Sequence, residues 1–358
     1  MSNTSITNRA TLEDAAQIIA ATGDEITTII TAEPGCGKSS LRFSIAEKAG
    51  ISRDRIVYLD APLLDFPDFF MPDVKDGRTN NAYHSRWMLD SDKPVLYMVD
   101  EIGKMQGVTK PMITRFLLER TVSDAPIPKG SLVFATSNLT TDGVGDAFPA
   151  HMNNRVATLE IIKPDHESVV QFGTTHGMNG TLVYFVRENP ELCQSYRDLD
   201  DEQLNTNKYI FNPRTNTKHF VSNRSLWFAS KILDRMEDNK LSRSQAMTQL
   251  VGTIGAPATA ELWATVELAD SLPSRKSIYT DPSNARVPDS MASQLLLATR
   301  LASGLDDDTA DATTTYMSRL QAEIQAVTGR LIFKSKPTIA MRSKVMRDWT
   351  KTFVSEYI

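Results

Sequence analysis

The chain of 358 residues is longer than one ordinary domain, and its 41% hydrophobic content can fill two packed cores, or one core with an added helical half. A formal net charge of −5 excludes a global basic field that would recruit nucleic acid through its phosphates. Two cysteines, Cys36 and Cys193, are too few for a disulfide framework or a Cys-based zinc site, and five scattered histidines add no metal pattern.

Met1 to Arg9 is polar, without the apolar segment of a signal peptide. No run approaches the ~18 to 20 apolar residues of a membrane span. The expectation is a soluble, cytoplasmic protein with no membrane partner.

Thr11-Leu12-Glu13-Asp14, followed by Ala15, Ile18, Ile19 and Ala20, predicts a capped amphipathic helix ending at Gly23. The β-branched run Thr27-Thr28-Ile29-Ile30-Thr31-Ala32 then predicts a strand that enters Glu33-Pro34-Gly35-Cys36-Gly37-Lys38-Ser39-Ser40. Strand, Gly-containing turn and helix start together make a phosphate loop, in which Gly35 and Gly37 turn successive N–H groups inward and the helix dipole reinforces the anion site. Gly35, Cys36, Gly37, Lys38, Ser39 and Ser40 are the candidate nucleotide-binding residues. Lys38 is placed to reach the β- and γ-phosphates of ATP, and the Ser39 hydroxyl to ligate Mg²⁺. Ala32 stands where G-x-x-x-x-G-K-[ST] has glycine, which requires its φ to stay negative. The alternative is a turn before an ordinary helix. Cys36, beside a helix start and Lys38, is either a modifiable thiol or an inert filler of the loop.

Leu41, Ile45 and Ala46 mark the buried side of the next helix, closed by Gly50, and Arg55 to Asp60 reads as a second strand. Strand and helix in alternation favour a parallel sheet. Ala61 to Leu89 breaks the rhythm with Pro62, Pro67 and Pro72 among Leu63, Leu64, Phe66, Phe69, Phe70 and Met71, then Tyr83 and Trp87. So long an insertion is functional or poorly ordered, and its aromatics predict core packing for most, with one or two presented at an assembly surface.

Pro94 to Val99 is an apolar run suited to a strand buried on both faces, and it ends in Asp100-Glu101. Two acids there call for a cation. Asp100 would hold Mg²⁺ through water, and Glu101 would polarise the attacking water; the alternative is an acidic helix start. Thr109 to Arg120 predicts a helix, Leu132 to Thr136 another buried strand ending at Ser137-Asn138, and Val156 to Ile161 a short strand. Asn138 can bond the lytic water or a γ-phosphate oxygen, or simply end its strand.

The ordered series Gly35-Cys36-Gly37-Lys38-Ser39, Val99-Asp100-Glu101, Ser137-Asn138, Asn154-Arg155 and Ser222-Asn223-Arg224-Ser225 resembles the AAA+ ATPases, in particular their MoxR-like branch, over roughly Thr11 to Leu233. The resemblance implies an AAA+ type P-loop α/β fold, a three-layer αβα arrangement on a five-stranded parallel sheet, with the Asn138 strand between those of Lys38 and Asp100. A helical lid and a further helical C-terminal region would follow. It implies sensor 1 at Asn138, an arginine finger at Arg155 and sensor 2 at Arg224, with the cis or trans action of the two arginines left open. Guanidinium groups suit the charge that phosphoryl transfer spreads over the γ-oxygens, although each arginine alone is more often a surface residue or ion-pair partner, and only its place in the series raises it. By position, Ala61 to Leu89 corresponds to an insertion that faces the ring pore in relatives.

The expected divisions are 1–163 for the nucleotide-binding core, 164–252 for the lid and 253–358 for the C-terminal region. Beyond Lys163-Pro164 the pattern is helical: Glu167 to Phe172, Thr181 to Arg187, a polar loop from Ser195 to Lys218, helices at Arg224 and at Ser242 to Val251, then Ala258 to Leu268, Ser290 to Ala302 and Met317 to Val327. Asp306-Asp307-Asp308 reads as a solvated turn or helix start.

The leading functional expectation is a Mg²⁺-dependent ATP hydrolase forming a homo-oligomeric, hexameric ring that remodels a protein client. A nucleic-acid motor or helicase loader on the same fold is the alternative. Its support is a cationic strip of Lys334, Lys336, Arg342, Lys344 and Arg347, which reads otherwise as a solvated helix face. A nucleotide-gated switch with little turnover is a third possibility.

Overall fold

The computed structural model describes residues 7–105, 107, 109–138, 154–215 and 217–354. The chain divides into two compact units, Met1–Lys163 and Pro164–Ile358.

In the first unit, strand β1 (Arg9–Ala10) leads into helix α1 (Leu12–Thr22), whose N-cap Thr11 accepts from the Asp14 amide and whose last turn closes at Gly23. Strand β2 (Thr28–Ala32), helix α2 (Leu41–Lys48) and strand β3 (Ile56–Asp60) follow. Helix α3 (Phe66–Phe69) enters a hairpin of β4 (Phe70–Lys75) and β5 (Arg78–Tyr83), and β6 (Leu96–Asp100) returns to the main sheet. Helix α4 (Thr109–Glu119), a two-residue ribbon of β7 (Thr121–Val122) and β8 (Ala125–Pro126), β9 (Leu132–Asn138) and β10 (Ala157–Ile161) complete the unit.

The main sheet is parallel in the order β1-β10-β2-β9-β6-β3. β9 therefore lies between β2 and β6, as the AAA+ resemblance implies. The sheet has six strands rather than five, because Arg9–Ala10 adds to the edge beside β10. A two-residue strand carries no period of its own, and only its partner reveals it.

Alternation explains why the central strands are largely apolar, apart from Thr28 and Thr31 in β2, Asp100 at the end of β6 and Thr136 to Asn138 at the end of β9. Ile29, Tyr97, Val99, Val133 and Ala135 pack on the α4 side with Ile113, Phe116 and Leu117. Their neighbours Ile30, Leu96, Met98, Leu132 and Phe134 pack on the other side with Ala15, Ile19, Leu41 and Ile45 of α1 and α2. Successive side chains point to opposite faces, so a sheet covered on both sides favours apolar residues at consecutive positions rather than at alternate ones.

The insertion is ordered around a hairpin. Lys75 pairs with Arg78 across Asp76-Gly77, both at positive φ, the backbone that a two-residue hairpin turn demands. The Asp-Gly signal was present in the sequence, although the reading above did not use it. Trp87 and Phe69 are fully buried against Tyr97 and Phe116, with ring centroids 5.0 Å apart for Trp87 and Phe116. Trp87 Nε1 donates to Asp68 O at 2.7 Å and its carbonyl accepts from Tyr97 Oη. Leu63, Met71 and Val74 remain exposed.

The second unit is helical. Helices α5 (His166–Thr175), α6 (Gly180–Glu188), α7 (Asp201–Thr206), α8 (Asn223–Glu237), α9 (Arg243–Ile254) and α10 (Ala256–Asp270) come first. They are followed by α11 (Arg275–Thr280), α12 (Met291–Ser303), α13 (Ala310–Met317), α14 (Ala322–Ser335), α15 (Pro337–Arg342) and α16 (Lys344–Val354). Leu182, Phe185, Leu226, Leu233, Leu250 and Leu262 belong to one core, and Leu297, Leu301, Tyr316, Ile324 and Met346 to another. Gly180 allows α6 to start against α12, since a Cβ there would lie 2.4 Å from Arg300 Cα.

Two expectations differ here. The polar stretch 195–218 contains α7, begun by a reciprocal cap between Asp200 and Gln203. The helix expected over 317–327 is broken between α13 and α14, where the Gln321 amide donates to Gln294 Oε1 at 2.9 Å. Asp306 caps the turn before α13, its Oδ1 accepting from the Thr309 amide at 2.8 Å, and Asp307 pairs with Arg342 at 2.8 Å.

Candidate nucleotide site

The loop after β2 has the backbone its glycines predict. Gly35 and Gly37 stand at φ +75° and +100°, and Ala32 stays extended as the last residue of β2. Lys38 to Ser40 form a single tight turn that runs into α2. A Cβ at Gly37 would approach Ser40 Oγ to 3.3 Å, besides being strained at that φ. The Ser40 hydroxyl bends back to donate to Gly37 O at 2.7 Å. Cys36 is buried in the core beneath α1 and α2.

Lys38 and Ser39 join this loop to the ends of two other strands. Lys38 Nζ donates to Ala32 O at 2.8 Å, Glu33 O at 3.3 Å and Asn138 Oδ1 at 2.9 Å. Ser39 Oγ donates to Asp100 Oδ2 at 3.0 Å. The registers account for both contacts: Ala32 stands opposite Asn138 in the β2–β9 pair, and β6 lies on the other side of β9. Parallel strands bring their carboxyl ends to one edge, where the loops that follow can share a ligand.

Asp100 is 6% exposed and accepts from three hydroxyls. Besides Ser39, it accepts from Tyr58 Oη at 2.8 Å and from Thr136 Oγ1. Glu101 leaves the strand at φ +57°, its amide donating to Thr136 Oγ1 at 3.3 Å. Its carboxylate pairs with Lys104 at 2.7 Å, a half-exposed bridge of small energetic value. Asp60 ends β3 opposite Asp100, and burial, then Glu101 and Asp100, raise its pKa above the ordinary carboxylate value. Asp100 and Glu101 thus lie close enough to disfavour charge on Asp60, although among the described residues no three acids are grouped to hold a metal ion. Burial, then the bond to Asp100, also raise the Tyr58 phenol pKa, so it remains a donor.

The structure thus joins Lys38, Ser39, Asp100 and Asn138, with Glu101 next to them in the chain. Arg155 is exposed in the turn before β10 and is not among the residues so joined. Residues 139–153, which include the glycines and the Phe148-Pro149 step after Asn138, lie outside the described residues. Arg224 is exposed on the first turn of α8, in the second unit. Tyr58, Asp60 and Thr136 were missed by the sequence reading. Asp60 carried a usable signal, an acid ending a strand as Asp100 does; Tyr58 and Thr136 carried none, because only strand pairing aims their hydroxyls.

A phosphate loop on the second of six strands, an Asp at the end of β6 and an Asn at the end of the strand between them define the class: a P-loop protein with the αβα core of an AAA+ ATPase fold and a helical C-terminal region. No family model matches the sequence. A search of curated proteins also finds no match. Among solved structures, the chain is similar to the RuvB Holliday junction branch migration motor of Thermotoga maritima, at 13% identity and a TM-score of 0.37, covering 86% of each chain. It is also similar to NtrX from Brucella abortus in complex with ADP, at 12% identity and a TM-score of 0.36, covering all of this chain and 70% of that one. The class rests on the strand order and loop geometry given above, not on these likenesses.

Proposed function

We propose that this chain is a Mg²⁺-dependent ATP hydrolase of the MoxR-like branch, working as a cytoplasmic homo-oligomeric ring, of six subunits, that remodels a protein client. The observation that carries the nucleotide reading is the pair of bonds from Lys38 to Asn138 and from Ser39 to Asp100, which converge on one phosphate loop. The donor set fits Mg-ATP: a glycine turn and an ammonium for phosphate oxygens, a hydroxyl and a carboxylate for a hard cation. When bound, the metal would neutralise developing charge on the phosphates.

In this reading Lys38 holds the β- and γ-phosphates, and Ser39 and Asp100 hold the cation. Glu101 accepts the proton of the attacking water, and Asn138 orients that water or a γ-oxygen. Arg155 and Arg224 would supply guanidinium groups to the γ-phosphate. Ring assembly, client and branch rest on the sequence resemblance alone.

Two facts speak against the nucleic-acid reading. Lys336 turns inward, its Nζ donating to Ser303 O and Leu305 O at 2.8 Å each, and Arg342 is engaged by Asp307. The strip is not one cationic face.

The test is ATP turnover by purified protein. Glu101→Gln should bind ATP as the wild type does and lose turnover by about 100-fold or more. Full activity in that variant would remove Glu101 from the chemistry. Arg155→Ala subunits mixed with Glu101→Gln subunits should recover turnover if the arginine acts across a subunit interface, and no recovery at any ratio would refute that arrangement.

A further inference from the structure

Tyr58 lies on β3, the edge strand of the main sheet, two residues before Asp60. An edge-strand tyrosine has a default orientation toward water, and 44% of this residue's surface is exposed. Its hydroxyl nevertheless turns inward, to Asp100 Oδ2.

The carboxylate it meets is held from three directions. Thr136 reaches Oδ1 from the central strand, Ser39 reaches Oδ2 from the phosphate loop at 3.0 Å, and Tyr58 reaches the same oxygen from the sheet edge at 2.8 Å. Of these donors Tyr58 is the most exposed. Its ring is braced by Arg42, whose guanidinium carbon lies 5.1 Å from the ring centroid and whose Nη1 donates to Ser39 O at 2.5 Å. Arg42 thus ties the tyrosine to the same serine that shares its acceptor. A carboxylate that must present one oxygen to a cation's shell gains from donors that fix its rotation, as outer hydrogen bonds do around metal ligands generally.

We infer that Tyr58 is a positioning residue for the cation: its hydroxyl holds Asp100 in the orientation in which that carboxylate and Ser39 receive a divalent ion on nucleotide phosphates. The inference rests on the nucleotide reading of the site. A tyrosine that merely fills the sheet edge would, on losing its hydroxyl, change stability but leave the metal dependence of binding alone. A positioning tyrosine changes the metal dependence specifically.

The experiment compares wild type and Tyr58→Phe by titration with a fluorescent ADP analogue, first in EDTA and then across Mg²⁺ concentrations. The Tyr58→Phe affinity in EDTA should stay within twofold of wild type, while the Mg²⁺ concentration for half-maximal effect rises roughly three- to tenfold, less than for a fully buried hydrogen bond to a charged group. A half-maximal concentration unchanged within twofold, or an equal loss of affinity in EDTA, overturns the role. Absence of any nucleotide binding or Mg²⁺ effect in the wild type overturns the site reading itself and this inference with it. Should Tyr58→Phe fail to fold, a ring-fluorinated tyrosine placed at position 58 keeps the hydroxyl. Its fluorine resonance should move when Mg²⁺ is added to the ADP complex, and a resonance unmoved by Mg²⁺ overturns the role.

Discussion

Replacing Lys38 by Met keeps most of the aliphatic stem and removes the ammonium, which makes it a direct test of the loop. The amine donates to Ala32 O, Glu33 O and Asn138 Oδ1, two main-chain carbonyls and a side-chain amide. At a net value of about 0.5 to 1.5 kcal/mol per bond, and with the site partly open to water, the loss should destabilise the fold by about 2 kcal/mol. Nucleotide binding should suffer more. Charge-assisted bonds to phosphate are worth about 1.5 to 3 kcal/mol each, and two of them, offset by the carbonyl bonds the ammonium must loosen, leave about 2 to 4 kcal/mol. That corresponds to a roughly 30- to 1,000-fold weaker Kd. Titration with a fluorescent, non-hydrolysable ATP analogue at fixed salt reads the affinity, and urea denaturation of the same samples reads the stability. A Kd within threefold of wild type, in a variant that remains folded, would show that the ammonium does not meet a phosphate.

Gly37→Ala places a side chain at φ +100° with its Cβ 3.3 Å from Ser40 Oγ, and should lower stability by about 1 to 2 kcal/mol and weaken ADP binding. An unchanged urea midpoint would contradict the left-handed turn. Trp87→Ala empties a site among Phe69, Tyr97 and Phe116 and should lower stability by about 3 to 5 kcal/mol; a loss below about 1 kcal/mol would mean that the insertion is not part of the core. Burial, only partly opposed by Asp306, holds the Lys336 pKa below 10.5, so the folded state binds that proton less tightly than the unfolded one. Stability contributed at this position should therefore rise as pH climbs from the lowered folded value toward 10.5. The difference between wild type and Lys336→Met in urea midpoint should shift over that window in favour of the wild type, and a constant difference would refute the lowered pKa of this partly buried amine.

Much of the candidate site could be read along the chain because its parts are local. Gly35 to Ser39 is a backbone geometry built within a few residues, and the runs Leu96–Val99 and Leu132–Ala135 announce a sheet covered on both faces by their unbroken apolarity. Helices α5, α6, α8, α9, α10 and α12 were equally visible in their 3.6-residue period; α7, begun by a cap between Asp200 and Gln203, the short α11, α13 and the break at 318–321 were not. The hairpin turn at Asp76-Gly77 was readable too, since two residues determine it.

By itself, then, the sequence determined the glycine loop after β2, the acid that ends β6 and the class of layered sheet, each set by neighbouring residues and by periods of two or 3.6. Only the tertiary structure decided which side chains share one carboxylate, that Arg9–Ala10 completes the sheet, that Trp87 closes the core and that Lys336 is bonded to the carbonyls of Ser303 and Leu305. Those outcomes depend on pairing between segments tens of residues apart, such as Tyr58 with Asp100 or Lys38 with Asn138, and no local pattern encodes the direction of a hydroxyl or an amine across a strand register.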